Sequence, residues 1–135
     1  MPGGSERYVA CNDVVDISEI LSWLNAAPQL ASETLNLNYL PSYSGWSLSV
    51  VKAGIRTDIL GHAHRSRELK ITRRYTIQNN LERVAVAETL EQLAAWAKEN
   101  SPPGTCLRVT GLPEFSSRSS SGVEDFSITF TLSEL

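Results

Sequence analysis

The sequence predicts a single α+β domain over residues 16–135. We expect a mostly antiparallel sheet of four to five strands, with a long amphipathic helix and a short N-terminal helix packed on it. Three observations support this fold class: one long stretch has helical periodicity, several shorter stretches alternate apolar and polar residues, and the helices and strands do not follow one another in regular turn. Residues 1–15 contain Pro-Gly-Gly near their start and are predicted to form a flexible tail.

The long helix is predicted over residues 80–100. Asn79 is a favourable N-cap, and Glu82 stands three residues later, where it can complete a capping box. The helix is expected to end at residues 101–104, Ser-Pro-Pro-Gly, because proline cannot continue the helical hydrogen bonds. The apolar positions fall on one side and the charged positions on the other, which is typical of a helix that lies on a sheet. The residues expected to be buried are Val86, Leu90, Leu93, Ala94 and Ala97.

The short helix is predicted over residues 17–27. Asp16 and Glu19 have the spacing of a second capping box, and Pro28 ends the helical pattern. Trp23 lies beside the apolar stripe of this helix rather than at its centre, so we expect it to pack at the edge of the core.

The strands are predicted from the alternation of apolar and polar residues. The first two are close enough to form a hairpin with a loop of about five residues. Residues 52–66 are basic and interrupted by glycine. This pattern indicates an exposed segment that leaves the sheet, with a short strand near residues 57–60. Residues 114–124 are rich in serine, and we interpret them either as a mobile loop or as a loop that becomes ordered on assembly. The predicted strands cover residues 34–40, 46–51, 67–78, 106–110 and 125–132.

The composition is that of an ordinary globular protein, with 41% hydrophobic and 20% charged residues among 135. No apolar run approaches the roughly 18 residues that a membrane helix needs. The N-terminus lacks the basic-then-apolar order of a signal peptide, so we expect synthesis and initial localisation in the cytosol, without a membrane partner. Cys11 and Cys106 lie far apart in sequence and are expected to be two reduced thiols.

Charge is distributed unevenly along the chain. The net charge is −3, but residues 52–74 hold seven basic and two acidic residues, a local charge of +5. The rest of the chain therefore holds five basic and thirteen acidic residues, a local charge of −8. Such an asymmetry favours binding either to nucleic acid or to another copy of the same chain. A nucleic-acid-binding module that uses residues 52–74 is the alternative function, although Tyr75 is the only aromatic residue beside this segment.

The sequence predicts no enzyme, no cofactor and no metal site. His62 and His64 would share one side of a strand, but no further ligand stands near at the spacing of a metal site, so we expect two exposed histidines. No nucleophile elbow and no phosphate-binding glycine fingerprint occurs. An enzyme would need a deep pocket lined by titratable groups with shifted pKa values.

The order of elements, together with short sequence motifs, resembles a known family. A helix over residues 20–28 precedes a strand that reaches Pro41, and Ser-Leu-Ser-Val follows at 47–50. A long strand ends Ile-Thr-Arg-Arg-Tyr-Thr-Ile at 71–77, and the long helix ends Leu-x-x-Trp-Ala-x-x-Asn at 93–100. Two terminal strands follow, separated by a Gly/Ser loop. Residues 16–133 thereby resemble the minor capsid or tail-terminator proteins of tailed phages and prophages of Gram-positive bacteria. The serine-rich final loop and the tail at residues 2–15 depart from the family pattern.

The resemblance implies a structural virion protein of the phage neck or tail end, assembled in the host bacterial cytoplasm. Its subunits would form a ring, usually a hexamer, that terminates the tail tube and offers a surface for joining the head. The implied partners are other copies of the chain, the tail tube protein and a head-completion or connector protein, with DNA as a further partner if it passes through the lumen. Phe115, Arg118 and Val123 are the candidate residues of a contact loop over 114–124. The candidate interface or lumen residues are Arg56, Arg65, Arg67, Arg73 and Arg74.

Overall fold

The computed structural model describes residues 16–119 and 121–135 and has an α+β fold. The predicted tail at residues 1–15, with Cys11, lies outside the described residues. The elements, in chain order, are α1 (Ile17–Asn25), a 3-10 helix (Pro28–Leu30), β1 (Leu35–Leu37), β2 (Gly45–Thr57), β3 (Ala63–Thr76), α2 (Asn80–Glu99), β4 (Thr105–Val109), β5 (Glu114–Arg118) and β6 (Val123–Glu134).

The strands form one mixed sheet of six strands in the order β1-β2-β3-β6-β4, with β5 also paired to β6. Strand β6 is central: it runs antiparallel to β3 on one side and to both β4 and β5 on the other. Strands β4 and β5 lie end to end along β6, because β4 pairs with its C-terminal half and β5 with its N-terminal half. The mostly antiparallel sheet is as predicted, with six strands instead of four to five.

Both α-helices contribute to one hydrophobic core on a single face of the sheet. The five residues of α2 that were expected to be buried are buried, and Ile20 and Leu24 of α1 join them. The opposite face carries Ser, Thr and charged side chains, such as Thr72 on β3 and Thr131 on β6. Trp23 packs at the edge of the core, as expected, and stacks on Trp96 with ring centroids 6.3 Å apart.

The two helix starts differ. Asn79 caps α2 by accepting a hydrogen bond from the Glu82 backbone N–H (3.0 Å), and the Glu82 carboxylate accepts one from Gln78 N–H (2.6 Å). The predicted capping box is therefore present, with its return bond shifted by one residue. At α1 the prediction is wrong, because Asp16 makes no side-chain cap and instead accepts a hydrogen bond from the Ser18 hydroxyl (2.7 Å).

Strands β1 and β2 pair in parallel, so the predicted hairpin between them is wrong. The side chain of Asn25, at the end of α1, holds β1 in place: its Oδ1 accepts from Leu35 N–H (2.8 Å), and its amide donates to the Leu35 carbonyl (3.3 Å). The chain then returns to the start of β2 through a loop that folds closely onto Gly45. A Cβ at this glycine would lie 2.6 Å from Pro41 Cδ, so only glycine fits there.

Strands β2 and β3 form a long hairpin where the sequence predicted an exposed segment that leaves the sheet. They pair from Gly45↔Arg74 to Thr57↔Ala63, with a bulge at Val51. Residues 58–62 form the turn, so the short strand expected near residues 57–60 is absent. The bulge adds one residue to β2 and thereby interrupts the alternation from which a strand is recognised.

Most of the predicted loop at 114–124 is strand, so its interpretation as a mobile loop is wrong for the described residues 114–119 and 121–124. Residues Glu114–Arg118 are strand β5, which pairs with β6, and Ser119 N–H donates to the Val123 carbonyl (2.8 Å). Phe115 packs edge-to-face on Phe126 with ring centroids 5.8 Å apart. The serine hydroxyls are also used, since Ser117 donates to the Asp125 carboxylate (2.9 Å). The strand is thus polar because its side chains bond to β6.

Candidate interaction surface

The end of the β2–β3 hairpin extends beyond the rest of the sheet, and we call residues 51–66 the projecting arm. Strand β1 covers β2 only along residues 46–48, and β6 pairs with β3 only as far as Ser66. From Ser49 to Thr57, β2 has no strand neighbour on the side away from β3 in the part of the chain that is described. This free edge offers backbone donors and acceptors to another chain.

The projecting arm exposes large apolar side chains. Val51 is 55% exposed and Ile55 is 70% exposed, and the turn adds Ile59 at 98% and Leu60 at 77%. Single exposed apolar residues are normal on a protein surface, but four of them along one short segment with a free strand edge are typical of a protein contact.

The turn that ends the projecting arm is held in one shape by Asp58. Its Oδ1 accepts hydrogen bonds from the backbone N–H groups of Leu60 and His62, both at 2.9 Å. Its Oδ2 contacts His64 Nε2 at 2.8 Å. Gly61 has a φ of 85°, a left-handed conformation that suits glycine. The two exposed apolar residues of the turn are therefore presented by a fixed backbone.

The hydrogen bond with His64, followed by that with the His62 backbone, lowers the pKa of Asp58 from 3.8 to about 2. Replacing Asp58 with alanine is expected to free the two turn N–H groups and to accelerate amide hydrogen exchange at Leu60 and His62. Exchange in α2 should stay unchanged, since the projecting arm is outside the core. Hydrogen exchange followed by NMR tests this, with Asp58→Asn as the control that keeps one acceptor oxygen. Unchanged exchange at Leu60 and His62 in Asp58→Ala would contradict the role of Asp58.

The histidine prediction is partly wrong. His62 is exposed, as expected, but the side chain of His64 is only 17% exposed and bonds to Asp58 and to the Leu135 carbonyl (3.0 Å). Asp58, the partner of His64, precedes the two histidines by four and six residues, a spacing that the sequence shows directly. Among residues 16–119 and 121–135, no group of three or more His, Cys, Asp or Glu side chains is arranged to hold a metal ion.

The structure separates the five candidate arginines. Arg56, Arg65 and Arg67 lie on or next to the projecting arm. Arg65 and Arg67 share the face of β3 that carries the buried Leu69, while Arg56 belongs to the opposite face. No ion pair to any of these three forms within the described residues.

Arg73 and Arg74 already have partners within the chain. Arg73 donates to the Glu33 carboxylate (3.0 Å), and its guanidinium lies over the rings of Trp46 and Tyr75 at 4.9 and 5.1 Å. Arg74 makes two hydrogen bonds to Asp125, at 2.7 and 2.8 Å, and these lower the pKa of that carboxyl. The contacts of these two arginines stabilise the end of the hairpin that is far from the projecting arm.

Another ion pair, which the sequence does not predict, joins α2 to β6. Glu124 is 2% exposed, and both of its carboxylate oxygens accept hydrogen bonds from Arg83 of α2, at 2.8 and 2.9 Å. Arg118 of β5 lies 3.5 Å away. The bonds from Arg83 lower the pKa of Glu124, and the charge of Arg118 lowers it further. Two of the three candidate contact-loop residues surround this pair, since Arg118 contacts it and Val123 precedes Glu124 in β6.

A cavity of about 280 Å³ opens between the first half of α2 and the ends of β2 and β3 that are far from the projecting arm. Trp46, Tyr75 and Val86 supply its apolar walls, and Glu33 and Arg73 lie at its side. Trp46 Nε1 and Gln29 Oε1 are buried and have no hydrogen-bond partner in the described part of the chain. Both atoms are inaccessible to solvent, so the cavity is described by its apolar walls and by the charged pair at its side.

No protein-family model matches the chain, and no curated protein has a sequence similar to it. No helix of the described residues is long and apolar enough to cross a membrane.

Proposed function

We propose that this protein is a structural, non-enzymatic subunit that assembles with copies of itself into a ring terminating a phage tail tube. The observation that supports this most is the projecting arm, which combines a free strand edge with exposed apolar residues. Such a segment exposes apolar surface to water, which is unfavourable, and burial against another chain would stabilise it. The projecting arm supports assembly in general. The family resemblance, over residues 16–133, supports the particular assembly, a ring at the end of a tail tube.

The proposed ring uses a head-to-tail contact, in which one surface of a subunit meets a different surface of its neighbour. The last sheet neighbour of the projecting arm is β6 beside Ser66, which lies opposite Gly54. Beyond that point each strand continues for three residues, about 10 Å at about 3.3 Å per residue, and the turn follows. The turn can therefore contact a neighbouring subunit. Arg56, Arg65 and Arg67, which have no ion pair within the described residues, would then meet either that neighbour or the lumen.

The partners proposed for the ring are the tail tube protein on one side and a head-completion or connector protein on the other. The proposed number of subunits is six, and the proposed location is the virion neck, with DNA in the lumen. The polar face of the sheet is suited to one of these protein contacts. Its Ser and Thr side chains are partly buried, and their hydroxyl groups can both donate and accept hydrogen bonds.

Native mass measured for the protein alone, and after mixing with tail tube protein, tests the proposal. We expect a discrete oligomer, or a complex in which the ring sits at tube ends visible by negative-stain electron microscopy. A projecting arm shortened by deletion of residues 52–65 is expected to remain folded but monomeric. A protein that stays monomeric at every concentration and leaves the tubes unbound would contradict the proposal.

The alternative, a nucleic-acid-binding module, is less well supported by the geometry. The basic side chains of residues 52–74 are divided between two faces of the sheet, and Arg73 and Arg74 are neutralised by carboxylates. A surface that follows a phosphate backbone usually gathers its cations on one side. Duplex DNA binding whose affinity falls steeply with salt would favour the alternative over the ring.

A further inference from the structure

We infer that the turn of the projecting arm of one subunit enters the cavity beside Trp46 of the next subunit. This inference rests on the proposed head-to-tail assembly and specifies its contact. The inserted residues are Ile59 and Leu60, which are adjacent in sequence and 98% and 77% exposed. The receiving wall is formed by Trp46, Tyr75 and Val86.

The turn has a fixed backbone conformation before it binds. Asp58 fixes its backbone through the N–H groups of Leu60 and His62, so little conformational entropy is lost when the turn is bound. The carbonyl groups of Ile59 and Leu60 accept no hydrogen bond within the described residues, whereas those of Asp58 and His62 do. The turn thus carries apolar side chains together with free acceptors.

The cavity is complementary to such a turn. Its aromatic and aliphatic walls suit the two apolar side chains, and its volume of about 280 Å³ leaves room for them. Ala85, exposed on α2, borders the entrance.

A subunit cannot fill its own cavity. Trp46 and Tyr75 lie at one end of the β2–β3 hairpin and the turn lies at the other. From Ala63 to Tyr75 the strand advances twelve residues, or about 40 Å at roughly 3.3 Å per residue. The occupant must therefore come from a second copy, and a contact between two different patches repeats around a ring or along a filament.

Charge supports the same orientation. The projecting arm holds three basic residues (Lys52, Arg56 and Arg65) and one acidic residue, Asp58. Around the cavity, Glu33 and Glu82 outnumber Arg73, and the outer face of α2 adds the exposed Glu88 and Glu91. Opposite charges at the two patches favour the head-to-tail encounter and disfavour pairing of two arms.

Two complementary variants test the inference. Ile59→Ser/Leu60→Ser removes the inserted side chains, and Ala85→Arg obstructs the cavity entrance. Each is expected to weaken self-association at least about 30-fold, since each apolar side chain buried contributes about a tenfold effect or more. All three positions are exposed, so circular dichroism and urea unfolding should match those of the wild type. Leu112→Ser, which alters an exposed leucine elsewhere, is the control and should associate normally.

Mixing the two variants separates the outcomes. The double-serine variant keeps an intact cavity and Ala85→Arg keeps an intact turn, so an equal mixture should form 1:1 pairs, seen by sedimentation or native mass, but nothing larger. Oligomers of wild-type size from either variant alone would overturn this contact and leave the proposed ring in place. Loss of association without pairing on mixing, or equal loss in Leu112→Ser, would also overturn the contact. A wild-type chain that remains monomeric with and without tail tube protein would overturn both.

Discussion

Replacing Phe130 with alanine is expected to lower the free energy of unfolding by about 4 kcal/mol, as is usual for a buried phenylalanine. Phe130 is 0% exposed and lies in the central strand β6, opposite Leu69 of β3 and Val109 of β4. The substitution therefore leaves a cavity between three strands, which cannot close without moving the sheet. Urea unfolding should show a lower midpoint with an unchanged dependence on denaturant.

The matched control for Phe130→Ala is Thr131→Ala. Thr131 is the next residue of β6, but its side chain lies on the polar face of the sheet and is partly exposed. Its removal should cost less than about 1 kcal/mol, as is usual for a substitution outside the core. Equal losses from the two variants would contradict the assignment of the two faces.

Replacing Arg83 with alanine is expected to lower the free energy of unfolding at pH 7. The change leaves the buried carboxylate of Glu124 without its two hydrogen bonds from Arg83, and a buried charge without a partner is destabilising. Solvent screens part of this interaction, since the Arg83 side chain is 36% exposed, and Arg118 remains 3.5 Å from Glu124. Chemical denaturation at several pH values measures the loss.

The pH dependence of this loss follows from the pKa of Glu124. Its pKa in the folded chain is lowered from the ordinary 4.5, so the ion pair stabilises the fold fully above about pH 4.5 and progressively less as the pH falls through the folded-state pKa. The difference between wild type and Arg83→Ala should therefore shrink below pH 4.5. The double variant Arg83→Ala/Glu124→Gln removes the stranded charge and should recover part of the stability. A difference that is constant from pH 7 to pH 3 would contradict this account.

The parts of the fold that depend on local pattern were predictable from the sequence. The five buried residues of α2 are as predicted, because an amphipathic helix shows its buried face through a period of 3.6 residues. In the same way, the strands predicted from alternation at 67–78 and 125–132 are found within β3 and β6, where Leu69, Ile71, Phe126 and Ile128 are buried. The α+β class follows from these elements alone.

The errors concern features decided by contacts between distant residues. The parallel pairing of β1 depends on the side chain of Asn25, ten residues earlier, and not on the spacing of the two strands. Strand β5 is ordered by Phe126 and Asp125 of β6, which a serine-rich composition does not reveal. One hydrogen bond from Ser18 to Asp16 is found in place of the capping box at α1, although the residue types were suitable.

The candidate surface was only partly predictable. Sequence identifies the basic segment, but it does not show that Arg73 and Arg74 are neutralised by Glu33 and Asp125, which are 40 and 51 residues away. The bulge at Val51 hides the strand that forms the projecting arm. Among the five arginines, Arg56, Arg65 and Arg67 remain candidates for an intermolecular contact.

The position of β6 in the chain has a consequence for synthesis on the ribosome. The central strand β6 is the last of the six described strands to be synthesised. Its neighbour β3 is synthesised earlier, and some 50 residues separate the two. A nascent chain that has emerged only as far as residue 122 already contains β3, β4 and β5 but has nothing to join them. At about 5–20 residues per second, that interval lasts several seconds. Chaperones that shield apolar strands should therefore engage this chain before residues 123–134 emerge, and release it once these residues are free to pair.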